Sequence, residues 1–127
     1  MVERVRVDST ADTGGLYSQA VKSNGLLFIS GQVAVDKNGN LVGQDIATQT
    51  DQVMRNMKAT LEAAGCTFND VIKISIFLVN LEDRPKFHEA RKKYFTGEQP
   101  ASTLLVVKSL ANKGYLVEVE AVAELHG

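Results

Sequence analysis

Hydrophobic positions in this chain alternate at first, switch to a helical spacing near Asp45, and change period again three times before the end. "VRVD" at 5–8 places Val5 and Val7 on one side of a short first strand, and the Gly-rich loop "STADTGGLY" follows. "SQAVKS" and "LLFISGQV" then flank Asn24-Gly25, the dipeptide best suited to the positive φ angles of a tight hairpin turn. A second Asn-Gly pair, Asn38-Gly39, lies in the polar loop "DKNGNLVG". From Asp45, an N-cap residue, Ile46, Val53, Met57, Leu61 and Ala64 fall on one stripe of a long amphipathic helix, and Gly65 is placed to stop it. "VIKISIFLV" at 71–79 is a β-branched run with Ile72, Ile74, Ile76 and Leu78 on one face, as in an interior strand. Asp83 and Pro85 open a second helix that turns Phe87, Ala90, Arg91, Tyr94 and Phe95 one way and ends at Gly97. "STLLVVKSL" and "LVEVEAVAEL" read as two closing strands, with "ANKG" as the turn between them.

The order β-β-β-α-β-α-β-β predicts an α+β domain over residues 1–127: one six-stranded mixed sheet carrying both helices on one face. No sequence is left over to cover the other face. Val71, Phe77 and Val79 lie opposite the isoleucine stripe, so a closed oligomer is expected to bury them.

Composition narrows the function classes. At 127 residues and 44% hydrophobic, the chain can build a core without staples, and its one cysteine, Cys66, cannot close an internal disulfide. The opening residues carry charges where a signal peptide needs an apolar core, and no apolar run reaches membrane-spanning length, so a soluble, cytoplasmic protein is expected. Fourteen basic and fifteen acidic residues leave a formal charge of −1, which disfavours a nucleic-acid partner. The densest basic run, Arg91, Lys92 and Lys93 in "ARKKYF", fans around a helix and reads as a solvated face.

The two histidines, His88 and His126, stand at no metal-ligand spacing, and no phosphate or dinucleotide loop occurs, so neither metal nor cofactor is expected. His88 reads as an exposed helix residue, and Ser30-Gly31 reads as a strand exit with a bulge. In the last strand Val117, Val119, Ala121 and Ala123 form an apolar face, while Glu118, Glu120 and Glu124 share the other. Two readings of that glutamate row stay open: the solvent side of an edge strand, or a face covered by neighbouring subunits where a carboxylate with a raised pKa serves acid/base chemistry.

Taken together, "LYSQAV" at 16–21, "LFISGQV" at 27–33, "LEAAGC" at 61–66, "PAST" at 100–103 and "VEVEAVA" at 117–123 resemble the reactive intermediate deaminase (Rid, or YjgF) family along nearly the whole chain. The resemblance implies a chorismate-mutase-like fold, a homotrimer with ligand sites in the clefts between subunits, and cofactor-free hydrolysis of reactive enamines and imines to 2-oxo acids and ammonia. It implies that Tyr17 walls the cleft, that Ser30 and Gly31 offer backbone contacts to a small imine, enamine or carboxylate ligand, and that Ala101 belongs to the same ligand-binding set. Glu120 matches the water-handling carboxylate. Two positions depart from the pattern. Ser102 stands where the deaminases carry the arginine of Pro-Ala-Arg, and His88 replaces a cleft asparagine. A serine offers a carboxylate one neutral hydrogen bond where arginine offers two charged ones, so anchoring of small 2-imino acids is expected to weaken about ten- to two-hundredfold. His88, or a cation such as Arg84 or Arg91 from the adjoining subunit, is the candidate replacement. The expected function is thus a Rid-type hydrolase with altered substrate preference. The alternatives are a non-catalytic metabolite-binding or regulatory trimer and, ranked last, an endoribonuclease.

Overall fold

A computed structural model describes residues 2–126 of the chain. Strand β1 (Glu3–Val5) pairs antiparallel with β2 (Ala20–Ser23), which turns through Asn24 and Gly25 into β3 (Leu26–Gln32). Asn24 at φ 52° and Gly25 at φ 77° both occupy the left-handed region, the geometry whose twist matches that of the strands it joins. Helix α1 (Ile46–Ala63) starts where Asp45 accepts the Thr48 N–H at 3.0 Å. It stops where Gly65, at φ 76°, lets the Cys66 N–H reach back to the Leu61 carbonyl at 2.8 Å. Strand β4 (Val71–Leu78), helix α2 (Arg84–Arg91), β5 (Ala101–Val106) and β6 (Val117–Glu124) complete the chain.

The sheet runs β1-β2-β3-β6-β4-β5, with β4 and β5 parallel and every other pair antiparallel. The helices pack on each other, and α1 packs on β3 and β6. Between helices and sheet lies the core, built from Leu27, Ile29, Val53, Met54, Met57, Leu61, Ile74, Ile76, Leu78, Phe87, Val117 and Val119. This is the predicted six-stranded mixed sheet with two helices on one face.

Three expectations need correction. A bulge between Val71 and Lys73 reverses the alternation of β4, so Val71 is buried in the core against Ala123 and Ile72 is exposed. Of the residues expected on the open face, Phe77 remains half-buried within one chain, and Val79 lies just past the strand. Helix α2 ends at Arg91 rather than Gly97, because the hydrogen bonds tighten to three-residue spacing at Lys93–Ala90 and Tyr94–Arg91, and an irregular turn carries Phe95 into the core. Finally, β6 is no edge. It lies between β3 and β4, so the glutamate row runs along the middle of the open sheet face.

Candidate functional site

The site begins with the bulge predicted at Ser30-Gly31. Ile29 pairs with Ala121 and Gln32 with Val119, so both Ser30 and Gly31 face the single residue Glu120 across the ladder. The bulge is held from behind: the Ser30 N–H donates to the Gln19 carbonyl at 3.1 Å and the Ser30 hydroxyl to the Ser18 carbonyl at 2.6 Å, while the Gln32 amide donates to the Ser30 carbonyl at 2.8 Å. Gly31 is required for space. A Cβ there would overlap the Glu118 Oε2 and lie 2.9 Å from its Cδ, so the absence of a side chain lets the Glu118 carboxylate rest against the backbone.

Glu118 and Glu120 point the same way from β6, but their surroundings differ. Glu118 is half-buried, and burial pushes its carboxyl pKa above the ordinary value, with the charge of Glu120 adding to the rise. Glu120 is exposed. Tyr17, Ser30, Gly31, Val33, Asn112, Tyr115 and the two glutamates line a cavity of about 530 Å³. Buried amides fix its walls. Gln49 of α1 donates to the Gly114 carbonyl at 2.8 Å and accepts the Leu116 N–H at 2.8 Å, which holds the 112–116 turn; the Asn56 amide donates to the Val33 and Val35 carbonyls, each at 3.0 Å. Gln19 ties the loop before Tyr17 by donating to the Val7 carbonyl at 2.9 Å and the Thr10 hydroxyl at 2.8 Å.

The remaining candidates gather elsewhere. Ser102 is in register with Ile74, so it faces the helix side of β5, whereas Ala101 lies beside Lys73 on the open side. The Arg91 guanidinium comes from α2 to donate to the Ser102 hydroxyl at 3.4 Å, with its Cζ 5.4 Å from the Phe95 ring centre. Arg91 is 8% exposed, which corrects its reading as part of a solvated face; Lys92 and Lys93 are exposed as expected. Among the described residues no aspartate or glutamate forms an ion pair with Arg91. His88 is half-buried rather than exposed, and burial together with the charges of Arg91, Arg84 and Lys92 holds its pKa below the ordinary value.

The candidates therefore form two groups. Tyr17, Ser30, Gly31 and Glu120 share one cavity, while Ser102 meets Arg91 of α2 at the β5 edge and His88 lies one turn before Arg91 on that helix. Three strand spacings separate β3 from β5, roughly 14 Å, and the two groups face opposite sides of the sheet. Glu118, Asn112 and Tyr115 were not assigned a site role from the sequence, whereas Arg91 was read both on the Phe87 face of α2 and in a solvated run, and the structure keeps the first reading. Among the described residues no group of three or more His, Cys, Asp or Glu side chains is placed to hold a metal, and no helix is long and apolar enough to cross a membrane.

Comparison with known proteins agrees with this fold. The sequence model of the family described as endoribonuclease L-PSP matches residues 8–125. A RutC family protein of Pyrococcus horikoshii is 42% identical, over 97% of this chain and 98% of its own. The human 2-iminobutanoate/2-iminopropanoate deaminase is 39% identical, over 93% of this chain and 88% of its own. A crystal structure of a Rid-family protein from Yersinia pestis, described as of unknown function, superposes with TM-score 0.94 at 35% identity, covering 98% of this chain and 100% of that one. The bulged Ser-Gly strand, the paired glutamates and these matches along the whole chain lead to one assignment: the chain belongs to the Rid, or YjgF, family, whose sequence model bears the name endoribonuclease L-PSP.

Proposed function

We propose that the protein is a cofactor-independent hydrolase that converts reactive enamines or imines of small 2-imino acids into 2-oxo acids and ammonia. It works as a homotrimer in which the Glu118 cavity of one subunit faces the α2–β5 edge of the next. The observation that carries this reading is the half-buried carboxyl of Glu118, its pKa raised, set against a side-chain-free stretch of backbone inside a cavity of substrate size. Such a group holds a proton at a pH where an ordinary glutamate has lost it, and so can both give and take one. The human relative's name supplies the substrate class.

The steps balance with this one proton carrier. Protonated Glu118 donates to the imine nitrogen as water adds to the imine carbon, and the C=N pair moves onto nitrogen. The resulting carboxylate takes the proton from the added water and leaves a carbinolamine. Glu118 then protonates the amine, the C–N bond breaks, ammonia departs, and the hydroxyl returns its proton as the carbonyl forms. An enamine enters by first receiving the proton on carbon. Glu120, which the sequence match pointed to, keeps the pKa of Glu118 high through its charge and stands within the same cavity wall. Assembly follows from the edge strand β5, where Leu105 and Val106 are about half exposed and the outer hydrogen-bonding groups have no neighbouring strand.

Ammonia release from 2-aminoacrylate and 2-iminobutanoate, generated in the assay by a pyridoxal-phosphate lyase, tests the reading. Release above the spontaneous rate, lost in Glu118→Gln, supports it. Release at the spontaneous rate from a folded, assembled protein overturns it.

A further inference from the structure

Arg91 is a buried cation with no anionic partner among the described residues. Charged side chains are rarely buried unless paired, because removing a guanidinium from water forfeits hydration that a neutral partner only partly replaces. Here the partners are one neutral hydroxyl, Ser102 Oγ at 3.4 Å, and the face of Phe95. No aspartate or glutamate of the described chain pairs with it. A guanidinium has five donors, of which the hydroxyl uses one, and its planar fork fits the two oxygens of a carboxylate. The location leaves a way in: Ser102 is exposed on the edge strand, so a ligand approaching β5 from outside meets the hydroxyl first and the guanidinium behind it. His88, three residues before Arg91 on α2, is half-buried on the same helix.

We infer that Arg91, reaching from α2 through Ser102 at the edge of β5, is the residue that binds the substrate's carboxylate and selects anionic substrates over neutral ones. The inference rests on the hydrolase reading for the identity of the ligand but not for the presence of an anion site. It also replaces one sequence expectation: the charge missing at residue 102 is supplied within the same subunit from a helix, so weak capture of small 2-imino acids no longer follows. Ser102 is then the small residue that leaves room for the fork and contributes a second donor.

The test is calorimetric titration of the assembled protein with 2-oxobutanoate and with its uncharged isostere 2-oxobutanamide, alongside ammonia release from 2-iminobutanoate. The wild type is expected to prefer the acid by about ten- to two-hundredfold, the range for a charge-assisted pair. Arg91→Met, which keeps the stem packed near Phe95, is expected to abolish that preference and to lower kcat/KM mainly through KM. Arg91→Lys, which keeps the charge but not the fork, retains only part of the preference and serves as the reporter if the methionine variant does not fold. A wild type with no preference, or an undiminished preference in a folded Arg91 variant, overturns the inference. An Arg91-dependent preference without ammonia release sustains the inference and ends the hydrolase reading, and ammonia release with an Arg91-independent preference does the reverse.

Discussion

Adding one methyl group at residue 31 tests the site most directly. Gly31 has no positive φ, so alanine there brings no backbone strain, and the three atoms nearest its Cβ all belong to the Glu118 side chain. That Cβ would lie 2.9 Å from Cδ and 3.1 Å from Cγ of Glu118, in addition to overlapping Oε2. Carbon atoms pack at roughly 3.5–4.0 Å, so the carboxylate must retreat by about 0.5–1 Å. The obstacle is the far end of a flexible side chain, which keeps the stability loss near the low end of overpacking, about 1 kcal/mol. Catalysis is less forgiving, since a displacement of about 1 Å at a reacting group costs about a hundredfold in rate. Gly31→Ala is therefore expected to fold and assemble, to melt within several degrees of the wild type, and to lose about two orders of magnitude in ammonia release measured by a coupled assay. In Glu118→Gln the same alanine should cost far less, because the group it displaces no longer carries the proton. Full activity in Gly31→Ala would refute the placement of the chemistry against this stretch of backbone.

Glu118→Gln itself should lower turnover by about 10²–10⁴-fold yet raise the melting temperature at pH 7. The sign follows from its raised pKa: the folded state resists ionising this carboxyl, so wild-type stability is lost as pH rises from the ordinary glutamate value, about 4.3, through the higher folded value, and the variant's advantage should vanish below that range. Glu120→Gln should bring the alkaline limb of the rate profile, where Glu118 loses its proton, to lower pH without removing activity, because one of the two causes of the raised pKa is gone while burial remains. Leu105→Glu, on the exposed edge strand, should yield a folded monomer by sedimentation and abolish turnover; a stable trimer would contradict the edge as an interface. Asp45→Ala should cost about 0.5–2 kcal/mol by removing the cap of α1, read by denaturant unfolding, with activity per folded molecule unchanged.

Elements governed by local chemistry were legible from the sequence. The hairpin at Asn24-Gly25 and both ends of α1 follow from φ preference and capping within a few residues of chain. What depends on register was not. Val71 and Ile72 exchange faces because of one bulge against β6, which no period-two pattern contains. Glu118 and Glu120 are equivalent by alternation, and only the pairing of β3 with β6, with its two-for-one step at Ser30-Gly31, distinguishes the buried one. Arg91 was legible only in part: the helical period sets it beside Phe87 and Ala90, its run of three basic residues says solvent, and the packing of α2 decides for the buried side. The bulge at Ser30-Gly31 was anticipated, and the second cavity wall was missed because "ANKG" looked like an ordinary turn rather than a segment clamped by Gln49.

The place of β6 in the sheet bears on how the molecule is made. The β1-β2-β3 meander and the β4-α2-β5 unit share no strand pairing until β6 slides between them, forming ladders with β3 on one side and β4 on the other. During synthesis the sheet therefore cannot become continuous until Val117–Glu124 has emerged from the ribosome. The α1 stripe and the two half-sheets wait with apolar surface open, a state in which contact-rich but unfinished chains associate wrongly. The same late insertion delivers Glu118 to Gly31, so the proposed proton carrier and the strand that joins the two half-sheets arrive in one event.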